Sequence, residues 1–325
     1  MFSWEKTKKP IVALAPMDGY SDSAFRQIIK IIAPDTIVFS EFVSADGLAR
    51  APKKTQKLIT FQKIEKPIIF QLFGKNPENF AAAAKVLEDY GASGVDLNFG
   101  CPAKKVVGSG HGSDLIRNPN LVAEIVAATK KAVKIPVSAK TRLGIKNSEY
   151  LISFCEKIFL AGADAIFIHG RTVAQKFSGE ADWSEIYKVK ENFSQKIVIG
   201  NGDIFSAEEA AKKIKNLDGI MIGRGSFGNP FLFRQIFQKF SQQKILFPKI
   251  SEIIEICQKH AEILEKEKGS HGILEFRKHF LFFVKNFPGA REMRKKITNI
   301  KNSEQVKEIL KKIKLLKRKN ICYKF

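Results

Sequence analysis

The chain has 325 residues, enough for one large domain or a large domain with a smaller partner, and its 44% hydrophobic and 27% charged content is ordinary for a globular protein. That composition excludes a disordered, collagen-like or disulfide-scaffold protein. The 55 Lys and Arg against 33 Asp and Glu leave a net charge of +22, which points to a polyanionic partner, nucleic acid first and an anionic membrane surface second; a Lys-, Ile- and Phe-rich coding bias is the competing reading.

The N-terminal stretch, basic from Lys6 to Lys9 and apolar from Ile11 to Met17, superficially mimics a signal peptide. The apolar part contains Pro16 and ends at Asp18, so it reads as a buried strand. From there short aliphatic runs recur: Ile11–Ala15, Thr36–Ser40, Ile68–Leu72, Val95–Asn98, Val137–Lys140, Ala165–His169, Ile197–Gly200 and Gly219–Ile222. They show no clear alternation, as in strands buried on both faces of a parallel sheet. Helical signals fill most gaps: Asn76-Pro77 and Asn118-Pro119 read as N-caps before helix-starting prolines, Gly91 as a stop, and Ser206 with Glu209 as a capping box. Eight such units in residues 1–240 predict an α/β fold of the (β/α)8 TIM-barrel type, with an open doubly wound sheet as the runner-up.

After Phe240 no strand run appears, and Ser251–Lys266, Leu274–Lys285 and Ser303–Lys319 read as helices, giving a helical domain over residues 241–325. This part holds 21 Lys and Arg against 9 Asp and Glu, and residues 291–325 alone hold 13 against 3. Charge concentrated in this way suits phosphate contacts, although a solvated helix face would look similar. No run approaches the roughly 18 apolar residues of a spanning helix. Cys101, Cys155, Cys257 and Cys322 lie far apart without a Cys-x-x-Cys pair, which fits reduced thiols and a cytoplasmic location.

In a barrel of this type chemistry sits where strands end. Here those ends carry Pro16-Met17-Asp18, Ser40-Glu41, Gln71, Asn98 to Pro102, Lys140-Thr141-Arg142, His169-Gly170-Arg171, Asn201-Gly202-Asp203 and Gly223-Arg224-Gly225. The glycine-rich seventh and eighth loops suit a phosphate-bearing cofactor, with Arg224 adding charge and Asn229-Pro230 opening a helix toward it. Lys140 could balance an anion formed in a redox step. Cys101, in a Gly-Cys-Pro turn, could donate a proton or act as a nucleophile. His169 and Arg171 suit an anion or a base carbonyl. The Gly108–Gly112 stretch could form a lid, and Cys257, His260, His271 and His279 have no zinc-site spacing, so no metal is expected.

Taken together, Ala15-Pro16-Met17, Gln71, Asn98-Phe99-Gly100-Cys101-Pro102-Ala103-Lys104-Lys105, Lys140 to Gly144, His169 to Thr172, Gly200 to Ile204 and Gly223-Arg224-Gly225 resemble the flavin-dependent tRNA-dihydrouridine synthases in order and content, most of all their bacterial B-type branch. The resemblance implies an FMN-binding barrel followed by a tRNA-holding helical domain. It implies FMN contacts from Pro16, Met17, Asp18, Gln71, Lys140, His169, Asn201, Gly202, Asp203, Gly223 and Arg224. Cys101 would be the proton donor to C5 of a uracil, after hydride delivery to C6, and Asn98, Arg142 and Arg171 would face the base and its backbone. NADPH or NADH would be the reductant, tRNA the partner and a monomer the working form. Phe42 and Phe231 replace a common methionine and tryptophan, and His111 and Asp114 stand in a lid usually built of small residues. Two rival readings are an FMN barrel acting on a free small molecule such as a dihydroorotate, and a non-catalytic tRNA-binding protein.

Overall fold

The computed structural model describes residues 2–103, 108, 110–285 and 290–316; Lys104, Lys105, Ser109, Cys322 and the end of the last expected helix lie outside them. Eight strands, β1 (Ile11–Leu14), β2 (Ile37–Ser44), β3 (Ile68–Phe73), β4 (Gly94–Phe99), β5 (Val137–Arg142), β6 (Ala165–His169), β7 (Ile197–Asn201) and β8 (Gly219–Ile222), form one closed barrel in chain order. All are parallel, and β8 pairs back onto β1, which removes the open-sheet alternative.

The strands do alternate, but both faces are apolar, which is why the sequence hides it. Val12, Leu14, Val38, Val95, Leu97, Ile166 and Ile168 pack outward under the helices. Ile11, Ala13, Ala15, Ile37, Phe39, Ile69, Phe167, Ile199 and Met221 fill the interior. Trp4 closes this inner cluster, 5.3 Å from the Phe167 ring and stacked on Phe39. The lower barrel is therefore solid, and the polar inward positions lie above this plug.

The helix starts follow local chemistry. Asn76 and Asn118 accept hydrogen bonds from Asn79 and Leu121, and Ser206 and Glu209 form a reciprocal capping box. The Asn229-Pro230 start is not found: the helix there is Leu232–Phe240, with Phe231 as an N-cap lacking a side-chain bond.

Beyond the barrel, one long helical element, Ile250–Phe283, contains both helices expected in that stretch, broken at Gly269 with φ 61°. A helix over Ala290–Ile297 was not legible in the sequence, and Ser303–Leu316 completes the bundle. Ile256, Phe276, Phe280, Phe283, Met293 and Val306 form a separate apolar core with Ala24, Ile28 and Phe231 of the barrel. Truncating fully buried Phe280 to alanine should cost about 3–5 kcal/mol, read as a lowered urea midpoint at unchanged slope.

The same helical element reaches the barrel rim. Phe282 packs 5.1 Å from the Phe227 ring, Tyr20 stacks on Phe227 at 4.2 Å, and Lys278 lies 5.1 Å over Tyr20. Lys268 pairs with Asp22 at 3.0 Å. A Cβ on Gly228 would lie 2.5 Å from the Phe282 carbonyl carbon, so the two segments touch at backbone level.

Candidate functional site

A cavity of about 580 Å³ opens at the C-terminal ends of the strands. Pro16, Met17, Asp18, Gln71, Asn98, Cys101, Lys140, Arg142, His169, Asn201, Gly202, Asp203, Gly223 and Arg224 all line it. Cys101 and Arg224, from opposite sides of the barrel sequence, thus share one cleft.

The cavity floor is a buried polar layer at inward strand positions. Gln71, Asp96 and Ser138 stand abreast in the β3–β4–β5 register. Gln71 Nε2 donates to Asp96 Oδ2 at 2.7 Å, and Ser138 Oγ donates to Asp96 Oδ1 at 2.7 Å. Asn98 Nδ2 donates to Gln71 Oε1 at 2.8 Å, and Asn98 Oδ1 accepts the backbone N–H groups of Gly100 at 3.1 Å and Cys101 at 2.9 Å. Lys140 Nζ donates to Asn201 Oδ1 at 3.2 Å, and Asn201 in turn donates to the Met221 carbonyl. Asp96 and Ser138 are absent from the sequence expectations because they stand inside their strands, below the polar ends; the signal available was a carboxylate inside an otherwise aliphatic run.

The Cys101 turn is held from three sides. Besides Asn98, Arg142 Nε donates to the Gly100 carbonyl at 2.9 Å, and the Ser113 N–H donates to the Cys101 carbonyl at 3.1 Å. Ser113 belongs to a short 3₁₀ helix, Gly112–Arg117, in which Asp114 pairs with Arg117 at 3.1 Å, while His111 lies edge-on to Phe73 at 6.0 Å. The two polar residues of the expected lid thus have local partners. Phe42 lines the cavity against Phe73, and Phe231 is buried beneath the helical bundle.

Burial sets the protonation states. It pushes the Cys101 thiol up, the nearby Arg142 only partly offsetting it, so the sulfur stays protonated at neutral pH and is an acid rather than a ready nucleophile. Burial, and then Arg142, brings the Lys140 amine down to about 8. Asp96 is raised to about 6 by burial, against the pull of Gln71, Ser138 and Lys140. Burial, with the cations Lys140, Arg142, Arg171 and Arg224 around it, keeps His169 neutral.

Arg171 is bound within the protein. It is not among the lining residues; its guanidinium is buried and binds both oxygens of Asp203, at 2.9 and 2.6 Å, and the carbonyls of Ser178 and Gly179. These bonds brace the loop after β6. Arg142 does reach the cavity, yet it also clamps the carbonyls of Thr172 at 3.0 Å and Lys176 at 2.8 Å. Arg224 is half-exposed, with one bond to Asp203 at 3.1 Å. Phe177 and Phe205, both exposed at the mouth, were not singled out in the sequence; Phe177 lies under Arg224 and Arg142, 4.9 and 5.6 Å from their guanidinium carbons.

Fold and cavity together define a TIM-barrel enzyme that sets a partly buried thiol beside cations and glycine-rich loops. A family model described as dihydrouridine synthase matches residues 13–320. The chain belongs to that family. "Probable tRNA-dihydrouridine synthase 1" of Synechocystis sp. is 36% identical over 303 residues, covering 92% of this chain and 85% of that protein. "Probable tRNA-dihydrouridine synthase" of Rickettsia prowazekii is 38% identical over 304 residues, covering 91% and 92%. The Aquifex aeolicus protein of the same name is 34% identical over 322 residues, covering 97% and 99%. Among solved structures, a 2-naphthoyl-CoA reductase with 2-naphthoyl-CoA matches with a TM-score of 0.51 at 12% identity, covering 72% of this chain and 52% of that one, a likeness of fold. No helix among the described residues is long and apolar enough to cross a membrane, and no group of three metal-ligating side chains occurs among them.

Proposed function

We propose that the protein reduces the C5–C6 double bond of uridines in tRNA, with FMN as resident cofactor and NADPH or NADH as reductant. The observation that carries this reading is the Cys101 thiol in one cavity with Lys140 and the Gly223-Arg224 loop. The residues fit a flavin phosphate. A Cβ on Gly223 would meet only Met17 Sδ at 3.5 Å and Ala15 Cβ at 3.7 Å, ordinary contacts, so the glycine reserves space on the cavity side. Gly225 is needed for the turn itself, since a Cβ there would lie 2.0 Å from the Ile204 carbonyl oxygen. Arg224 supplies the charge.

Lys140, Asn201 and the Gly223-Arg224 loop would hold FMN, which when bound would supply hydride chemistry toward C6 of the uracil. Cys101 gives its proton to C5, and the donor groups of Asn98 and Lys140 favour negative charge developing on the ring. The uridine must leave its stack to reach the thiol, and phosphate contacts elsewhere on the tRNA offset that cost. The basic helices of residues 241–325 are suited to those contacts.

The direct test is purified protein and tRNA. A yellow preparation that NADPH bleaches, and a deletion strain whose tRNA lacks dihydrouridine until the gene is restored, support the reading; a colourless protein that FMN does not reconstitute overturns it. A second expectation concerns pH. Lys140 is charged below about pH 8 and loses its proton above it. FMN affinity, followed by absorbance titration, should weaken by roughly tenfold as pH rises through that value, and Lys140→Met should abolish the dependence. Stability of the cofactor-free protein has the opposite sign. The unfolded chain holds this proton more tightly, so unfolding free energy rises with pH between about 8 and the usual lysine value of 10.5.

A further inference from the structure

Asp96 is fully buried, does not itself line the cavity, and has no role in the chemistry above. Its position explains something that chemistry needs. The side-chain amide of Gln71 can be turned either way round, presenting oxygen or NH₂ to a given neighbour, with little difference in shape, whereas that of Asn98 is held by the Gly100 and Cys101 N–H groups, which only donate. An ionised carboxylate removes the choice, because it accepts hydrogen bonds and donates none. Asp96 therefore turns the Gln71 NH₂ toward itself. That leaves Gln71 Oε1 facing Asn98, matching the NH₂ that Asn98 presents because its Oδ1 receives the Gly100 and Cys101 N–H groups. The Ser138 hydroxyl occupies the second carboxylate oxygen and fixes the Asp96 rotamer from β5.

We infer that Asp96 is a positioning residue: it anchors, through Gln71 and Asn98, the acceptor end of a hydrogen-bond relay whose other end is the backbone of Cys101. Both amides belong to residues that line the cavity, so the relay runs along its floor to the thiol turn. The assignment of Cys101 as the acid rests on the proposed function; the relay itself is a property of the protein without cofactor.

The test uses cofactor-free protein, so that it is independent of whether uridine reduction is the reaction. Asp96→Asn replaces the fixed acceptor with an amide that can also donate. The double variant Asp96→Asn/Gln71→Glu moves the carboxylate one residue along the relay, where it accepts from the amide introduced at position 96 and from Asn98. The readout is the rate of Cys101 alkylation by iodoacetamide, resolved from the other cysteines by peptide mass spectrometry. The single variant should react roughly tenfold faster as the turn loosens, and the double variant should return to within about twofold of wild type. A wild-type rate in a folded Asp96→Asn protein, or a double variant no closer to wild type than the single one, overturns the inference. Should Asp96→Asn fail to fold by circular dichroism, Gln71→Met severs the same relay with apolar bulk kept; a wild-type rate there overturns the inference equally.

Discussion

Replacing Cys101 with alanine is expected to lower dihydrouridine formation by roughly 10²- to 10⁴-fold while leaving NADPH bleaching of the bound flavin near its wild-type rate. Alanine removes the acid and little else. The turn keeps its backbone bonds to Asn98 and Ser113, and the Arg142 clamp binds the Gly100 carbonyl, not the sulfur. The two half-reactions are separable by stopped-flow absorbance for the flavin and by mass spectrometry of digested tRNA for the product. Equal losses in both would make Cys101 a structural or cofactor-binding residue, since an acid used only toward uracil cannot slow reduction of the flavin.

Reversing Arg291, Arg294, Lys295 and Lys296 to glutamate should weaken tRNA binding by at least about 10²-fold near 0.1 M salt, with flavin content and bleaching unchanged. These side chains are exposed, whereas Met293 and Ile297 on the same helix are buried in the bundle core. Lys307 and Lys311 on the following helix are weaker candidates because Glu304 and Glu308 pair with them. The slope of log affinity against log salt should become shallower by about 0.7–0.9 for each phosphate that the variant no longer neutralises. Unchanged affinity and slope would favour a free small-molecule substrate. Charge reversal is a cleaner probe than excising residues 245–325. Excision would uncover Ala24, Ile28 and Phe231 and strip Phe282 from the cavity-lining Phe227, confounding loss of RNA binding with damage to the flavin site.

The barrel was legible because strands buried on both faces leave uninterrupted aliphatic runs, and the eight runs fall within a few residues of β1 to β8. Strand ends were legible for the same reason, since polarity begins abruptly at Gln71, Asn98, Lys140, His169 and Asn201. What stayed hidden has a common cause: inward and outward positions cannot be told apart when both are apolar. Asp96 and Ser138 sit one inward step below the rim, and only strand register reveals that Asp96 stands between Gln71 and Ser138. Arg171 illustrates the converse. Its place after β6 suggested a ligand contact, while its ion pair with the carboxylate of Asp203, 32 residues on, was not legible. The Ala290–Ile297 helix was missed because its strongly charged sequence buries only Met293 and Ile297, too few apolar positions for a visible period.

The backbone contact between Gly228 and Phe282 bears on how such proteins diversify. A C-terminal segment that merely trailed from the barrel could be exchanged between relatives as a cassette to change which transcripts are gripped. Here the cassette carries part of the wall behind the catalytic mouth: a chimera would have to import Lys268, Lys278 and Phe282 along with their counterparts Asp22, Tyr20 and Phe227. Recognition and chemistry are therefore expected to drift together across this seam, and a graft that ignores it should yield a protein impaired in both.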